Sequence, residues 1–132
     1  MMKNRLILPL ILLALLVSSC KSTEKKETPE EVSKAFITAF HTADFNNIYK
    51  YTLRNNKIII QQLEKTTDEA QRERMKKVSL EFKQVTCKMH NDSLAECECQ
   101  YKKDGAPRKV VLDLCKEDDR WVVDLVAHPK NQ

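Results

Sequence analysis

Glycine occurs once in the 132 residues, at Gly105. Phosphate-cradling loops need several glycines for close backbone approach, so nucleotide sites of the P-loop and dinucleotide kinds are excluded. The nucleophile-elbow and metalloprotease patterns, G-x-S-x-G and H-E-x-x-H, are also missing. Neither sign of charge is in large excess. The formal net charge is +4, and residues 1–19 contribute Lys3 and Arg5 but no acid, which leaves 21 bases against 19 acids in the remainder. A balance so near neutrality argues against a nucleic-acid partner. No apolar run reaches the roughly 20 residues that a membrane-spanning helix needs. The longest, residues 6–17, has twelve. At 132 residues the chain has the size of one domain.

What is present begins with three zones: a basic start over residues 1–5, the apolar stretch with Pro9 inside it, then Ser18 and Ser19 before Cys20. This is the layout of a cleaved secretory signal, and Pro9 disfavours a permanent helix there. Its end, Leu16-Val17-Ser18-Ser19-Cys20, resembles the lipobox of bacterial lipoproteins, in which a cysteine after small residues receives diacylglycerol and becomes the new N-terminus. The resemblance implies removal of residues 1–19, a lipid with palmitate-type acyl chains on Cys20, and a membrane-anchored protein of the bacterial cell envelope, periplasmic or surface-facing. More than one acyl chain would make that anchor stable. Beyond Cys20, residues 21–27 carry mixed charge and no apolar side chain, which predicts a flexible tether.

Residues 28–132 read as a single domain. Thr28-Pro29-Glu30-Glu31 is a helix start, with Thr as N-cap, Pro at the first position and Glu reaching back to the cap amide. Val32, Ala35, Phe36, Ala39, Phe40 and Ala43 recur at helical spacing and predict the buried face, with Ser33, Lys34 and Thr38 elsewhere. Asp44 is expected to cap a second helix that buries Phe45, Ile48, Tyr49 and Leu53 and ends at Asn55-Asn56. Residues 57–77 predict one third helix, supported by Asp68 before Arg72 and Glu73 before Lys77 at i, i+4.

From Val78 the period changes to alternation. Four strands are expected over residues 78–89, 94–102, 108–115 and 120–126, with turn signals at 91–93, 104–107 and 117–119. Links this short imply antiparallel neighbours, and helices followed by a meander imply an α+β domain with one sheet face covered.

The helical segment with Phe36, Ala39, Phe40 and Asp44, then Ala95, Tyr101, Asp104-Gly105 and Leu114-Cys115-Lys116-Glu117-Asp118 before Arg120-Trp121-Val122-Val123, is similar to bacterial lipoproteins of unknown function. Those carry a nuclear transport factor 2-like domain, also described as cystatin-like or lumazine-binding-like. The resemblance spans most of residues 28–126 and implies N-terminal helices packed on a curved four-stranded antiparallel sheet, with a cone-shaped pocket between them. The chain departs from the pattern in Asp119, where a turn glycine is expected, and in four sheet cysteines.

In an oxidising compartment Cys87, Cys97, Cys99 and Cys115 are expected to pair. Joining Cys97 to Cys99 would leave Cys87 and Cys115 two strands apart, at about 9–10 Å, beyond the roughly 7 Å a disulfide spans. A three-residue loop over 91–93 puts Cys87 opposite Cys97, and Gly105 facing Lys109 puts Cys99 opposite Cys115. The other set, Cys87 with Cys99 and Cys97 with Cys115, needs a less natural loop at 92–94. Parity cuts across the first set, because Val110, Leu112 and Leu114 alternate as the apolar face and turn Cys115 away from it. A four-cysteine zinc site is disfavoured, since Cys97-Glu98-Cys99 lies in a strand and lacks the usual knuckle spacing.

His41 and Asp44 at the end of the first helix form the one candidate acid–base pair, but Asp44 already serves as a cap and the helix dipole favours a histidine at that end. His90 beside a turn and His128 in the tail have no evident partner. Phe36, Phe40, His41, Tyr49, Tyr101 and Trp121 are the candidate pocket residues, with core packing as the plainer role for each. Lys102, Lys103, Arg108 and Lys109 flank one turn as a solvated basic tip. No catalytic set converges, and neither metal nor other cofactor is expected. The residues favour a non-catalytic binding or interaction module for a small ligand or envelope protein; the alternative is a small-molecule enzyme with His41 or Asp44 in the cone.

Overall fold

The computed structural model describes residues 25–126, so the expected signal segment, Cys20 and His128 lie outside the described residues. The domain is α+β, with four α-helices leading into a four-stranded antiparallel sheet of order β1-β2-β3-β4. Helix α1 (Pro29–His41) starts at the expected capping box, where Thr28 Oγ1 accepts from Glu31 N at 3.2 Å and Glu31 Oε1 from Thr28 N at 3.4 Å. Its inner stripe is rotated from the expected one. Val32, Phe36 and Ala39 are buried, but Ser33 and Ile37 join them, while Phe40 stays 40% exposed. A continuous stripe of Ser33, Phe36, Ile37 and Phe40 spacing lets the smaller hydroxyl lie against the sheet and the larger ring lie at its margin.

Helix α2 (Phe45–Lys50) is capped by Asp44, whose carboxylate accepts from Asn47 N at 3.4 Å and from Asn47 Nδ2 at 2.7 Å. It stops earlier than expected. Residues 51–53 leave the helix and bridge to the last strand at Thr52, with Val123 N donating to Tyr51 O at 2.7 Å and Leu53 N to Val123 O at 2.9 Å. A 3-10 turn (Arg54–Asn56) then leads into α3 (Lys57–Thr66). The single helix expected over 57–77 is two. Thr67 is extended, and Asp68 caps α4 (Glu69–Met75) through a second capping box with Gln71. Asp68 is therefore a cap and not the partner of Arg72. Arg72 instead donates to Glu64 O at 3.0 Å and Thr67 O at 3.2 Å, satisfying carbonyls at the end of α3. Glu73 pairs with Lys76 at 3.1 Å, not with Lys77.

Strands β1 (Leu80–Asn91), β2 (Leu94–Lys103), β3 (Ala106–Glu117) and β4 (Arg120–Asp124) form the meander. In the central strand Ala95, Cys97, Cys99 and Tyr101 alternate inward and all four are buried. They face α1 together with Val85, Leu112, Leu114 and Val123 of the neighbouring strands. Register shifts at Lys83 and His90 let β1 keep Phe82, Val85 and Cys87 on this inner side despite uneven spacing.

Cys87 lies directly opposite Cys97, and the two form a disulfide. The expected second bridge is absent, with Cys99 and Cys115 both free. Its premise was the register of the second hairpin. Asp104 and Gly105, at φ 50° and 81°, make a two-residue turn with Lys103 opposite Ala106, so Cys99 faces Val110 instead of Cys115. Cys115 falls on the outer face between Leu94 and Val122, as the parity of Val110, Leu112 and Leu114 requires.

Asp118 and Asp119 occupy the β3–β4 turn at φ 52° and 62°, a conformation that costs an L-residue roughly 1–2 kcal/mol and glycine almost nothing. Asp119→Gly should stabilise the domain by about 1 kcal/mol and raise Tm by about 4–8 °C in thermal unfolding followed by circular dichroism, while a lower Tm would contradict the strain argument. Denatured without reductant, the four sheet cysteines should yield two thiols, and reduction should cost about 2–3 kcal/mol for a bridge closing a ten-residue separation. Four thiols, or none, would refute the pairing.

Candidate functional site

The six residues expected to line one pocket divide between three places. Phe36, Phe40, His41 and Tyr101 form a continuous ring cluster between the end of α1 and β2, with centroid separations of 6.1 Å, 5.7 Å and 5.5 Å in that order. Phe82 of β1 extends it at 5.7 Å from Tyr101. Phe82 drew no attention as a site residue, although its inward place in the alternating strand pattern was a usable signal. Phe36 and Tyr101 are buried in the core, so this part of the expected cone is filled by side chains.

Within that cluster His41 Nε2 and Tyr101 Oη are hydrogen-bonded at 2.7 Å, a pairing in which a neutral imidazole can accept from the phenol O–H. Burial holds the imidazole below its ordinary value near 6.5, and the positive charges of Lys103 and Arg108 push the same way. Asp44 is occupied with Asn47 in capping α2, so the two members of the candidate acid–base pair engage different partners. Tyr49 is elsewhere, donating to Glu64 Oε1 at 2.9 Å.

Beneath the cluster, Ser33 is fully buried, and the inner face of β2 brings the Cys99 thiol beside its hydroxyl as the polar group that faces it. The Cys99 thiol is a poor nucleophile. Burial pushes its pKa up to about 11, so the thiolate is negligible near neutrality. No group of three His, Cys, Asp or Glu side chains suited to a metal occurs among the described residues.

Trp121 marks the third place. A groove of about 650 Å³ runs between the start of the described chain and the β3–β4 hairpin, with Val32, Tyr51 and Trp121 on its apolar wall. Lys25, Lys26, Glu27, Lys116, Asp118, Asp119 and Arg120 supply its charges. Local chemistry shapes this site. Lys116 Nζ sits 5.3 Å from the centre of the Trp121 ring and Lys50 Nζ 5.1 Å from that of Tyr51, both in cation–π range. Tyr51 Oη donates to Glu27 Oε2 at 2.9 Å, and Lys26 pairs with Asp119, so the entering chain itself walls the groove. An aromatic wall with charges of both signs suits an amphipathic ligand or a short peptide segment more than a uniformly charged one. Tyr51, Lys116 and the entering lysines were not singled out in the sequence, because nothing local joins them to Trp121.

No family model matches the chain, and no curated protein matches it either.

The His41 environment sets a pH dependence. The folded state disfavours the protonated imidazole relative to the unfolded chain, so the folded state binds fewer protons and stability rises with pH across the interval below about 6.5. Tm should therefore fall as pH is lowered from 7 through that interval, and His41→Gln, which can still bond Tyr101, should flatten this part of the curve. An unchanged slope in the variant would exclude His41 as the source.

Proposed function

We propose that the protein is a lipid-anchored component of the bacterial cell envelope, a non-catalytic binding module with a nuclear transport factor 2-like fold. The anchor would be Cys20, at the end of the lipobox-like Leu16-Val17-Ser18-Ser19-Cys20. Helices preceding a four-stranded antiparallel meander are consistent with that fold. The observation that carries the binding role is the groove beside Trp121 and Tyr51, an aromatic cleft with charges of both signs at the root of the segment that leads to Cys20. Its volume falls within the roughly 300–1,000 Å³ of small-ligand sites. The ligand is a small amphipathic molecule or an extended piece of an envelope protein.

An enzymatic reading would have to use His41, whose imidazole is the perturbed base of the domain's interior. It is weaker, because His41 is packed among Phe40, Tyr101 and the core and has Tyr101 as its hydrogen-bond partner. A catalytic base needs substrate within hydrogen-bond reach.

Metabolic labelling with radioactive palmitate tests the anchor. The wild-type protein should take up label and sediment with membranes, whereas Cys20→Ala should do neither; a variant that stays labelled overturns the assignment. For the groove, a ligand retained by wild-type protein from detergent-solubilised membranes should be lost in Trp121→Ala with the fold intact by circular dichroism, and retention by the variant overturns the site.

A further inference from the structure

We propose that the side of the domain along the β4 edge docks flat on an anionic bilayer surface, an inference that rests on Cys20 being the lipid anchor. Five peptide units separate Cys20 from Lys25, a reach of at most about 18 Å. Where the described chain begins is therefore where the membrane would lie. Lys26 is held at the β3–β4 turn by Asp119, and Glu27 by Tyr51, which fixes the tether root to that side of the molecule.

The same side continues along residues 51–56, which cover β4. Leu53 N donates to Val123 O at 2.9 Å and Leu125 N to Asn56 Oδ1 at 2.7 Å, so this segment follows β4 from the hairpin toward Val126. At its far end, where α3 begins, Ile58 and Ile59 are 63% and 44% exposed and Val126 is 47% exposed. Strand β4 has five residues, so at about 3.3 Å per residue this side is about 17 Å long, comparable with the reach of the tether.

Its charge suits anionic headgroups. Seven bases from Lys25 to Arg120 outnumber the five acids of this side, Glu27, Glu117, Asp118, Asp119 and Asp124. Three of these acids are already matched by surface ion pairs, Glu117 and Asp118 with Arg54 and Asp119 with Lys26. Exposed isoleucines between cationic side chains form the pattern of an interfacial surface, in which apolar groups enter the headgroup boundary while Lys and Arg meet phosphates. The Trp121 groove then opens against the bilayer, the position from which it would meet an amphipathic ligand.

Trp121 is the sole tryptophan, so its emission reports contact with lipid. The lipidated full-length protein is reconstituted on phosphatidylcholine vesicles with and without phosphatidylglycerol, each containing a brominated lipid as quencher. Quenching of Trp121 is expected to be strong only with phosphatidylglycerol and to be relieved by salt. Each positive charge withdrawn from the face should lower the docked-to-free ratio about fivefold. Lys57→Glu, which changes the charge by two, should lower that ratio about thirtyfold, and the pair Ile58→Ser with Ile59→Ser should reduce quenching by removing apolar contact, with thermal melts confirming that each variant is folded. Quenching that is equal in the two vesicle types, or untouched by both variants, overturns docking. A protein that floats with vesicles yet leaves Trp121 unquenched refutes docking alone, whereas one that does not associate at all refutes anchor and docking together.

Discussion

The antiparallel pairing of β2 with both of its neighbours is the constraint on which the rest of the domain depends. Because side chains alternate along a strand, one register decides everything β2 turns inward. With Ala95, Cys97, Cys99 and Tyr101 inward, Cys97 meets Cys87 across one ladder, Tyr101 reaches His41, and the small Ser33 can lie against the strand. A slip by one residue would instead send Glu96, Glu98 and Gln100 into the core. On the outer face Glu98 is met from β3 by Lys109 at 3.3 Å and along its own strand by Gln100, which donates to it at 3.3 Å. Those contacts are exposed and contribute little stability, but like the inward row they penalise any other register.

The second organising contact is the covering of the β4 edge. A strand of five residues with an open edge presents unpaired N–H and C=O groups that invite other chains. Residues 51–53 meet that edge with two backbone hydrogen bonds to Val123, and the buried Asn56 takes the next one from Leu125. Helix α2 must end early for this to happen, since a helical backbone at Tyr51 to Leu53 could not offer its groups sideways. Arg54 and Arg120 tighten the same seam, the former on the Glu117–Asp118 turn and the latter donating to Lys50 O at 3.2 Å. The groove beside Trp121 exists because this seam, the hairpin and the entering chain converge.

Much of the architecture was legible in residue patterns. The capping box at Thr28, the cap at Asp44, the switch from helical to alternating period near Val78 and three tight turns all have local chemical signatures, and each corresponds to an observed element. Tertiary pairing with β4 shortens α2, whereas the errors at Asp68 and at the second hairpin share another cause, a local signal overridden by a stronger one nearby. Asp68 could be read as an ion-pair partner of Arg72 or as a cap with Gln71, and two backbone N–H groups satisfied at once outweigh an exposed pair. Asp104-Gly105 admits a longer loop, but both residues accept positive φ and the two-residue turn matches the twist of the strands. That choice moved β3 and separated Cys99 from Cys115. The site was less legible, because Trp121, Tyr51 and Lys26 come from three distant segments and only the covered β4 edge brings them together.

Scarcity of glycine leaves its mark at this same place. Ala43, Asp104, Asp118 and Asp119 are the non-glycine residues at positive φ among those described, and two of the four form the β3–β4 turn. Asparagine and aspartate tolerate this region better than other residues, but two in succession still carry a cost. The turn is held by contacts outside itself: Arg54 on Asp118 and Lys26 on Asp119. A glycine pair would close the hairpin more easily but would offer no carboxylates to either cation. The aspartates thus exchange local backbone comfort for ties to the edge-covering segment and to Lys26, so that the wall of the groove and the seam on β4 are fixed to one another.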